Sequence, residues 1–410
     1  MELHLFDAYG IELEYMIVDA ESLDVRPISD FILRDEQGEP TAELEQGEIS
    51  WSNELTHHVI ELKTNGPVSN LSPLADAFQK NVEEINRRLV SANARLLPTA
   101  MHPWMDPFQE MQLWPHDYHV VYETFDKIFD CRGHGWANLQ SMHINLPFQG
   151  DQEFGKLHAA VRLILPLLPG LAASSPFKDG QLSGQLDSRL DVYRRNAKGV
   201  ASVTGRVIPE PVFDFASYDR EIFQPMFRDI APLDPEGVLR NEFLNARGAI
   251  ARFGRGSIEI RVIDLQESPR ADLAIAALTV EVLKLLVAET WTSTQAQQSV
   301  SIDRLEPVLL AAIESGDQAV IQDAALLKHF GVASGSMTVG ELWEHLFEQV
   351  SGVVPHFQAQ SGEALGVIFR KGCLAARIRR AVGNDVRRDS LQEVYRSLAA
   401  CLAEGRSFQA

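Results

Sequence analysis

Four short segments of this chain alternate polar and apolar residues with a period of two. That pattern limits the fold more than any other feature, because it marks strands with one buried and one open face. In Ala8–Asp19, Ile11, Leu13, Tyr15 and Ile17 fall on one side and Glu12 and Glu14 on the other. In His57–Thr64, Ile60 and Leu62 oppose Glu61 and Lys63. In Ser141–Leu146, Met142, Ile144 and Leu146 oppose Ser141, His143 and Asn145. In Ser257–Asp264, Ile258, Ile260 and Val262 oppose Glu259 and Arg261.

Helical stretches supply partners for the greasy faces. Leu71, Leu74, Phe78, Val82, Ile85 and Leu89 step by three or four, which predicts an amphipathic helix. Phe154–Leu171 and Ala271–Thr290 read as two more, the first kinked at Pro166. Asp35–Glu48 reads as a loop, and Ala172–Pro211 as a long functional or disordered one. Thr292–Ser299 is the best linker candidate, and the pattern beyond it is helical. Strands and helices do not alternate as βαβ units. The expected class is therefore α+β: a mainly antiparallel open sheet with packed helices and a helical C-terminal part. The expected division is 1–293 as the main domain and 300–410 as a helical region packed on it.

If the four strands share a sheet, Glu12, Glu14, Glu61, His143, Glu259 and Arg261 project from one face. Two carboxylates about 4 Å apart repel by about 4 kcal/mol at an effective dielectric of about 20. Four glutamates cannot all ionise there unless cations sit among them or they take up protons. Oxygen donors with one imidazole suit Mg²⁺ or Mn²⁺ better than Zn²⁺. Arg261 could then clamp a phosphoryl group through two N–H donors. A wet sheet face would also carry glutamates, but the row recurs on four strands. It reads as a site for nucleotide and metal.

Composition removes other readings. There are 37 Lys+Arg against 57 Asp+Glu, a net charge of −20. Such a surface repels a phosphate backbone, which argues against nucleic acid as a partner. Cys131, Cys373 and Cys401 have no CxxC spacing, so neither a disulfide framework nor a thiolate zinc site is expected. The start, MELHLFDAYGIELEY, lacks the basic-then-apolar order of a signal peptide. The longest apolar stretch, Leu273–Val287, is broken by Glu281 and Lys284, so no membrane partner is expected and the location is read as cytoplasmic. No P-loop and no G-x-S-x-G motif is present.

The motifs resemble the glutamate–cysteine ligase superfamily, and within it the second, bacterial carboxylate–amine ligase type. GIELEYMIVD resembles its G-x-E-x-E first strand. NELTHHVIELKT resembles the segment with an acid seven positions before a Glu, here Glu54 and Glu61. MHPW, QSMHINLPF and GRGSIEIRVIDLQ resemble its His-Pro-aromatic, His-strand and G-x-x-E-x-R-x-x-D segments. The matches run in family order over about two-thirds of the chain.

The resemblance implies a glutamine-synthetase-like catalytic fold, an antiparallel sheet forming an open funnel. It implies ATP with Mg²⁺ or Mn²⁺, and amide formation from small-molecule carboxylate and amine substrates through an acyl phosphate. Carried over by position, Glu12, Glu14, Glu54, Glu61, His143 and Glu259 would ligate metal. Arg261 and Glu259 would be catalytic, and Arg189 and Tyr193 would bind the carboxylate substrate. Arg247, Arg252 and Arg255 are candidate nucleotide contacts, although surface arginine is the plainer reading of the first two. Ser141, Asn145 and Asp117-Tyr118 depart from the family pattern, so glutamate and cysteine are not assumed as substrates. A metal-dependent hydrolase and a non-catalytic member of the fold remain alternatives. Arg377, Arg379, Arg380, Arg387 and Arg388 form a basic cluster, read first as a solvated helix face. The apolar C-terminal helices could bury an interface with a second copy.

Overall fold

The computed structural model describes residues 2–333 and 335–410. In chain order its strands are β1 (Gly10–Asp19), β2 (Glu43–Gln46), β3 (Ile49–Asn53), β4 (Val59–Thr64), β5 (Ala94–Leu97) and β6 (Ser141–Pro147). A small hairpin of β7 (Phe177–Lys178) and β8 (Gln181–Leu182) follows, then β9 (Ala249–Arg252) and β10 (Ser257–Asp264), and last a separate two-stranded pair of β11 (Val320–Ile321) and β12 (Met337–Thr338). One eight-stranded sheet runs β2-β3-β4-β1-β6-β10-β9, with β5 added beside β1. Its pairs are antiparallel. The four alternating segments are thus neighbours, in the order β4-β1-β6-β10.

The alternation decides which face is buried. Ile11, Leu13, Tyr15, Ile17, Ile60, Leu62, Met142, Ile144, Leu146, Ile258 and Ile260 are wholly inaccessible. Burying each such side chain contributes about 1.5–3 kcal/mol. The helix Leu74–Leu89 turns Leu74, Phe78, Val82, Ile85 and Leu89 into the same core. The helix Pro269–Val287 packs against it and against Gly150–Ile164. Pro166 interrupts the latter as expected: a 3₁₀ turn, Leu165–Leu167, leads into a second segment, Leu168–Ala172. Among the described residues Gly150–Ala172, not Leu273–Val287, is the run long and apolar enough to cross a bilayer, and 94% of its most apolar window is buried inside the protein.

Two loop expectations are overturned, and for Ala172–Pro211 the disordered alternative is removed. Asp35–Glu48 contains β2, an edge strand paired Leu44 to Trp51 across a turn in which Gly47 has φ +73°. Ala172–Pro211 is ordered, because a buried pair anchors it. Arg189 Nε meets Asp264 Oδ1 at 2.5 Å, and Asp187 caps the helix Ser188–Tyr193 by accepting from the Leu190 N–H. Within Thr292–Ser299 the helix Thr294–Gln298 forms, capped by Ser293. Buried Gln297 donates to the Leu286 and Thr292 carbonyls, at 2.8 and 3.1 Å.

The C-terminal helices lie against this framework. The Trp343 indole donates to the Leu167 carbonyl at 2.8 Å. Arg377 pairs with Glu267 at 2.6 Å, both about 1% exposed. Arg388 pairs with Asp24 and sits over the Trp104 ring. Of the basic cluster, Arg377 is therefore buried and paired, whereas Arg388 stays exposed at the surface over Trp104, in keeping with a solvated face.

Candidate active site

The register sets the open face. Glu14 lies opposite Glu61 and Glu12 opposite Lys63, while Glu12 also faces His143 on the other side of β1. Glu259 lies opposite Asn145. One continuous polar row therefore crosses β3, β4, β1, β6 and β10. Glu12, His143 and Glu259 each offer a ligand atom, and those atoms lie within 4.8 Å of one another.

Each acid in the row has a partner that fixes it. Asn145 Nδ2 donates to Glu12 Oε1 at 2.9 Å, and His143 Nδ1 donates to Glu12 Oε2 at 2.8 Å. The Ser141 N–H and Oγ donate to Glu14 Oε2 at 2.6 and 2.9 Å. Ser52 Oγ donates to Glu61 Oε2 at 2.5 Å, and Lys63 Nζ lies 3.3 Å from the same oxygen. Glu259 is gripped from two sides, by Arg252 Nη2 at 2.9 Å and Arg261 Nε at 3.0 Å. The departures from the family pattern, Ser141 and Asn145, are thus the groups that orient Glu14 and Glu12.

Like charge at this density moves protons. Burial and the charge of Glu12 push the Glu61 carboxyl up to about 7. Burial, with Glu61 and Glu14 nearby, raises Glu54 well above the carboxylate range. Burial would raise Glu12 too, but its bond to His143 prevails and holds it at about 2. His143 loses solvation, yet its bond to Glu12 and the charges of Glu14 and Glu259 lift it to about 9. Without a cation, the row keeps protons instead.

Two cavities flank the row. One of about 510 Å³ is lined by Glu14, Glu54, His143, Arg189, Tyr193, Arg252 and Arg261, with a wall of apolar side chains. The other, of about 560 Å³, is lined by Glu12, Glu61, Lys63, Arg252, Arg255 and the Thr64–Pro67 segment. Arg252 borders both.

Most of the candidates converge here. Glu12, Glu14, Glu61, His143, Glu259, Arg261 and Arg252 share the face, Glu54, Arg189 and Tyr193 line the first cavity, and Arg255 sits on an exposed turn at the second. Arg247 does not join them. Its guanidinium is buried against Glu210, at 2.6 and 2.7 Å, and also donates to the Ser202 carbonyl. Arg189 is committed on one edge to Asp264, but its Nη2 has no partner among the described residues. Lys63, Ser52 and Asp264 drew no role from the sequence, although Lys63 shares the face of Glu61 by simple i+2 spacing.

Known proteins resemble this chain along most of its length. A family model described as glutamate-cysteine ligase family 2 matches residues 8–397. An uncharacterized protein of Archaeoglobus fulgidus is 33% identical over 309 residues, 75% of this chain and 80% of that one. A Rubrobacter xylanophilus protein, provisionally named glutamate–cysteine ligase 2-3, is 24% identical over 273 residues, 66% of this chain and 67% of that one. The crystal structure of a Francisella tularensis glutamate–cysteine ligase in complex with AMP superposes with a TM-score of 0.59 at 13% identity, covering 98% of this chain and 89% of that one. A bifunctional glutathione synthetase from Pasteurella multocida gives 0.55 at 18% identity, covering 96% of this chain and 52% of that one. At these identities the two structures establish a shared fold.

Proposed function

The chain belongs to glutamate-cysteine ligase family 2, and on that premise we propose that it is an ATP-dependent carboxylate–amine ligase working with Mg²⁺. The observation that carries this reading is the cluster of Glu12, His143 and Glu259 donor atoms within 4.8 Å, between two cavities. The donor set fits the metal. Carboxylate oxygens dominate it, one imidazole joins them, and Glu14 and Glu61 extend it, which suits a hard divalent ion. Bound there, Mg²⁺ would neutralise phosphate charge during phosphoryl transfer.

The chain's own residues divide the remaining work. Lys63, Arg252 and Arg255 line the cavity suited to the triphosphate. Arg261, beside Glu259, holds the phosphoryl group as it moves from ATP to the substrate carboxylate, leaving ADP and an acyl phosphate. The resemblance gave Arg189 and Tyr193 to the carboxylate substrate; because they line the same cavity as Glu54, they are assigned instead to a carboxylate carried by the amine substrate. The amine arrives as an ammonium and must lose a proton before it attacks the acyl carbon. Glu54 faces that cavity and takes the proton, with phosphate as the leaving group. Catalysis is assigned to residues 1–293, and the helices of 300–410 buttress them.

The test is an ADP-release screen of acids and amines with ATP and Mg²⁺. Release that requires both an acid and an amine supports the reading. Metal binding with no ADP from any pair overturns it.

A further inference from the structure

The wall of the 510 Å³ cavity is apolar to a degree that a small polar substrate does not need. Val121, Tyr122, Phe125, Trp136, Leu139 and Phe243 all face it. All six are half-buried, so apolar surface is left open to water inside the pocket. Phe125 packs its ring on Trp136 and Phe243, with centroids 5.5 and 6.3 Å apart. Open apolar surface of this kind is stabilised by whatever covers it.

The same cavity has a polar end. Arg189 is 2% exposed and Tyr193 9% exposed. Arg189 Nη2 and the Tyr193 hydroxyl are both buried and without a hydrogen-bond partner among the described residues. A buried donor left unpaired costs about 1–3 kcal/mol, so this pair is built for an acceptor that comes from outside. Two donors, one a guanidinium, suit a carboxylate. Glu14 and Glu54 line the cavity as well and provide the opposite charge.

Resting on the ligase reading for its place in the reaction, we propose that this cavity takes an α-amino acid with an aromatic or bulky aliphatic side chain as the amine donor. Its carboxylate meets Arg189 and Tyr193. Its ammonium faces Glu54 and Glu14. Its side chain covers Phe125, Trp136 and Phe243. A cysteine-sized side chain would leave that wall wet. Hydrophobic pockets discriminate by about 10–200-fold per missing group, which sets the scale of the preference.

The experiment is calorimetric titration of the full-length protein, with Mg²⁺ and a non-hydrolysable ATP analogue, by L-phenylalanine, L-leucine, L-cysteine and L-alanine. Phenylalanine or leucine should bind at least about tenfold tighter than alanine or cysteine. Phe125→Ala and Phe243→Ala should each remove most of that preference, weakening phenylalanine and leucine far more than alanine. Equal or tighter binding of cysteine, or no binding by any of the four, overturns the inference. ADP release with the same four amino acids, each paired in turn with a panel of carboxylic acids, separates the two readings. Selective binding without ADP release sinks the ligase assignment and spares the pocket. Faster turnover with cysteine or alanine spares the ligase and sinks the pocket.

Discussion

Glu54 and Glu259 are both acids of the same site, yet one faces other acids and the other is held by two arginines. Glu54 sits near Glu61 and Glu14, and burial with those charges raises its pKa well above the carboxylate range. That favours the protonated form while no cation or amine is bound, and an arriving ammonium favours the carboxylate that serves as base. Glutamine in its place changes little in the resting protein, so Glu54→Gln should leave the metal-free melting temperature unchanged. It should still lower kcat, because the amide cannot take the ammonium's proton. General-base losses run at about 10²–10⁴-fold. Glu259, by contrast, is gripped by Arg252 and Arg261. Glu259→Gln should lower the melting temperature as well as turnover, since two guanidiniums lose their counter-charge, at a cost of about 1–3 kcal/mol. Thermal melts in EDTA, paired with ADP-release rates, check both. A lower melting temperature for Glu54→Gln would mean that Glu54 is ionised in the resting protein. Arg261→Lys should fail in turnover, because one ammonium cannot reproduce a planar two-donor contact. A rate within about threefold of the wild type would make Arg261 a structural partner of Glu259 rather than a phosphoryl contact.

At the scale of elements, two close approaches hold the site together. A Cβ on Gly10 would stand 3.0 Å from the Asn145 Cβ across the β1–β6 pair. Asn145 is the donor that orients Glu12. Gly10→Ala should therefore cost more activity than stability, seen as a fall in kcat with a modest drop in melting temperature. A Cβ on Gly170 would meet Val339 Cγ1 at 2.3 Å, where Leu168–Ala172 packs under the helix Val339–Val353. Overpacking of that kind costs about 1–3 kcal/mol. If the helices of 300–410 buttress the catalytic part, Gly170→Ala should lower the melting temperature of one cooperative transition. Two separated transitions would show that they fold apart. The sequence made β1, β4, β6 and β10 legible because alternation survives where one face is buried and the other carries charge. β2 and β9 escaped for want of length, each being four residues. The ordering of Ala172–Pro211 escaped because its anchor, Arg189 with Asp264, joins residues 75 positions apart. For the same reason Arg247 could be named as a phosphate contact: nothing local shows that Glu210 occupies it. Glu12, Glu14, Glu61 and Glu259 were legible because each lies within a strand, whereas Glu54, just past β3, was legible only through the resemblance. Their orienting donors, Ser52, Ser141 and Asn145, are ordinary polar residues until the register sets them beside those acids.

Across the whole molecule, two sets of buried groups pull stability in opposite directions as pH falls. Burial lowers His58 and His102 to about 4 and His158 to about 3. Each ring donates one N–H to a carbonyl, of Ala137, Leu23 and Val212 respectively. The second nitrogen of His58 and of His158 has no partner among the described residues, so a proton added there would find no acceptor. These folded pKa values lie below the unfolded value of about 6.5, so the unfolded chain binds more protons as pH drops. The stability these histidines provide is complete above about pH 6.5 and is lost as pH falls toward their folded values. Glu61 has the reverse sign. Its folded pKa of about 7 lies above its unfolded value, so the folded chain binds the extra proton between about pH 7 and 4.5 and gains stability as pH falls. Asp187 and Asp272, raised well above the carboxylate range by burial, act in the same direction. One proton is worth about 1.4 kcal/mol per pH unit. His158→Gln should therefore improve stability at pH 5 relative to pH 7 by about 2 kcal/mol compared with the wild type, and Glu61→Gln should worsen it by about 2 kcal/mol. Urea unfolding in EDTA at both pH values measures the two differences. Shifts of the same sign in both variants would refute the opposed-set account. Added Mg²⁺ should abolish the Glu61 effect alone, because a cation held by that carboxylate keeps it ionised at both pH values, whereas His158 lies in the core beside Phe154 and Tyr218, on no surface that the ion reaches.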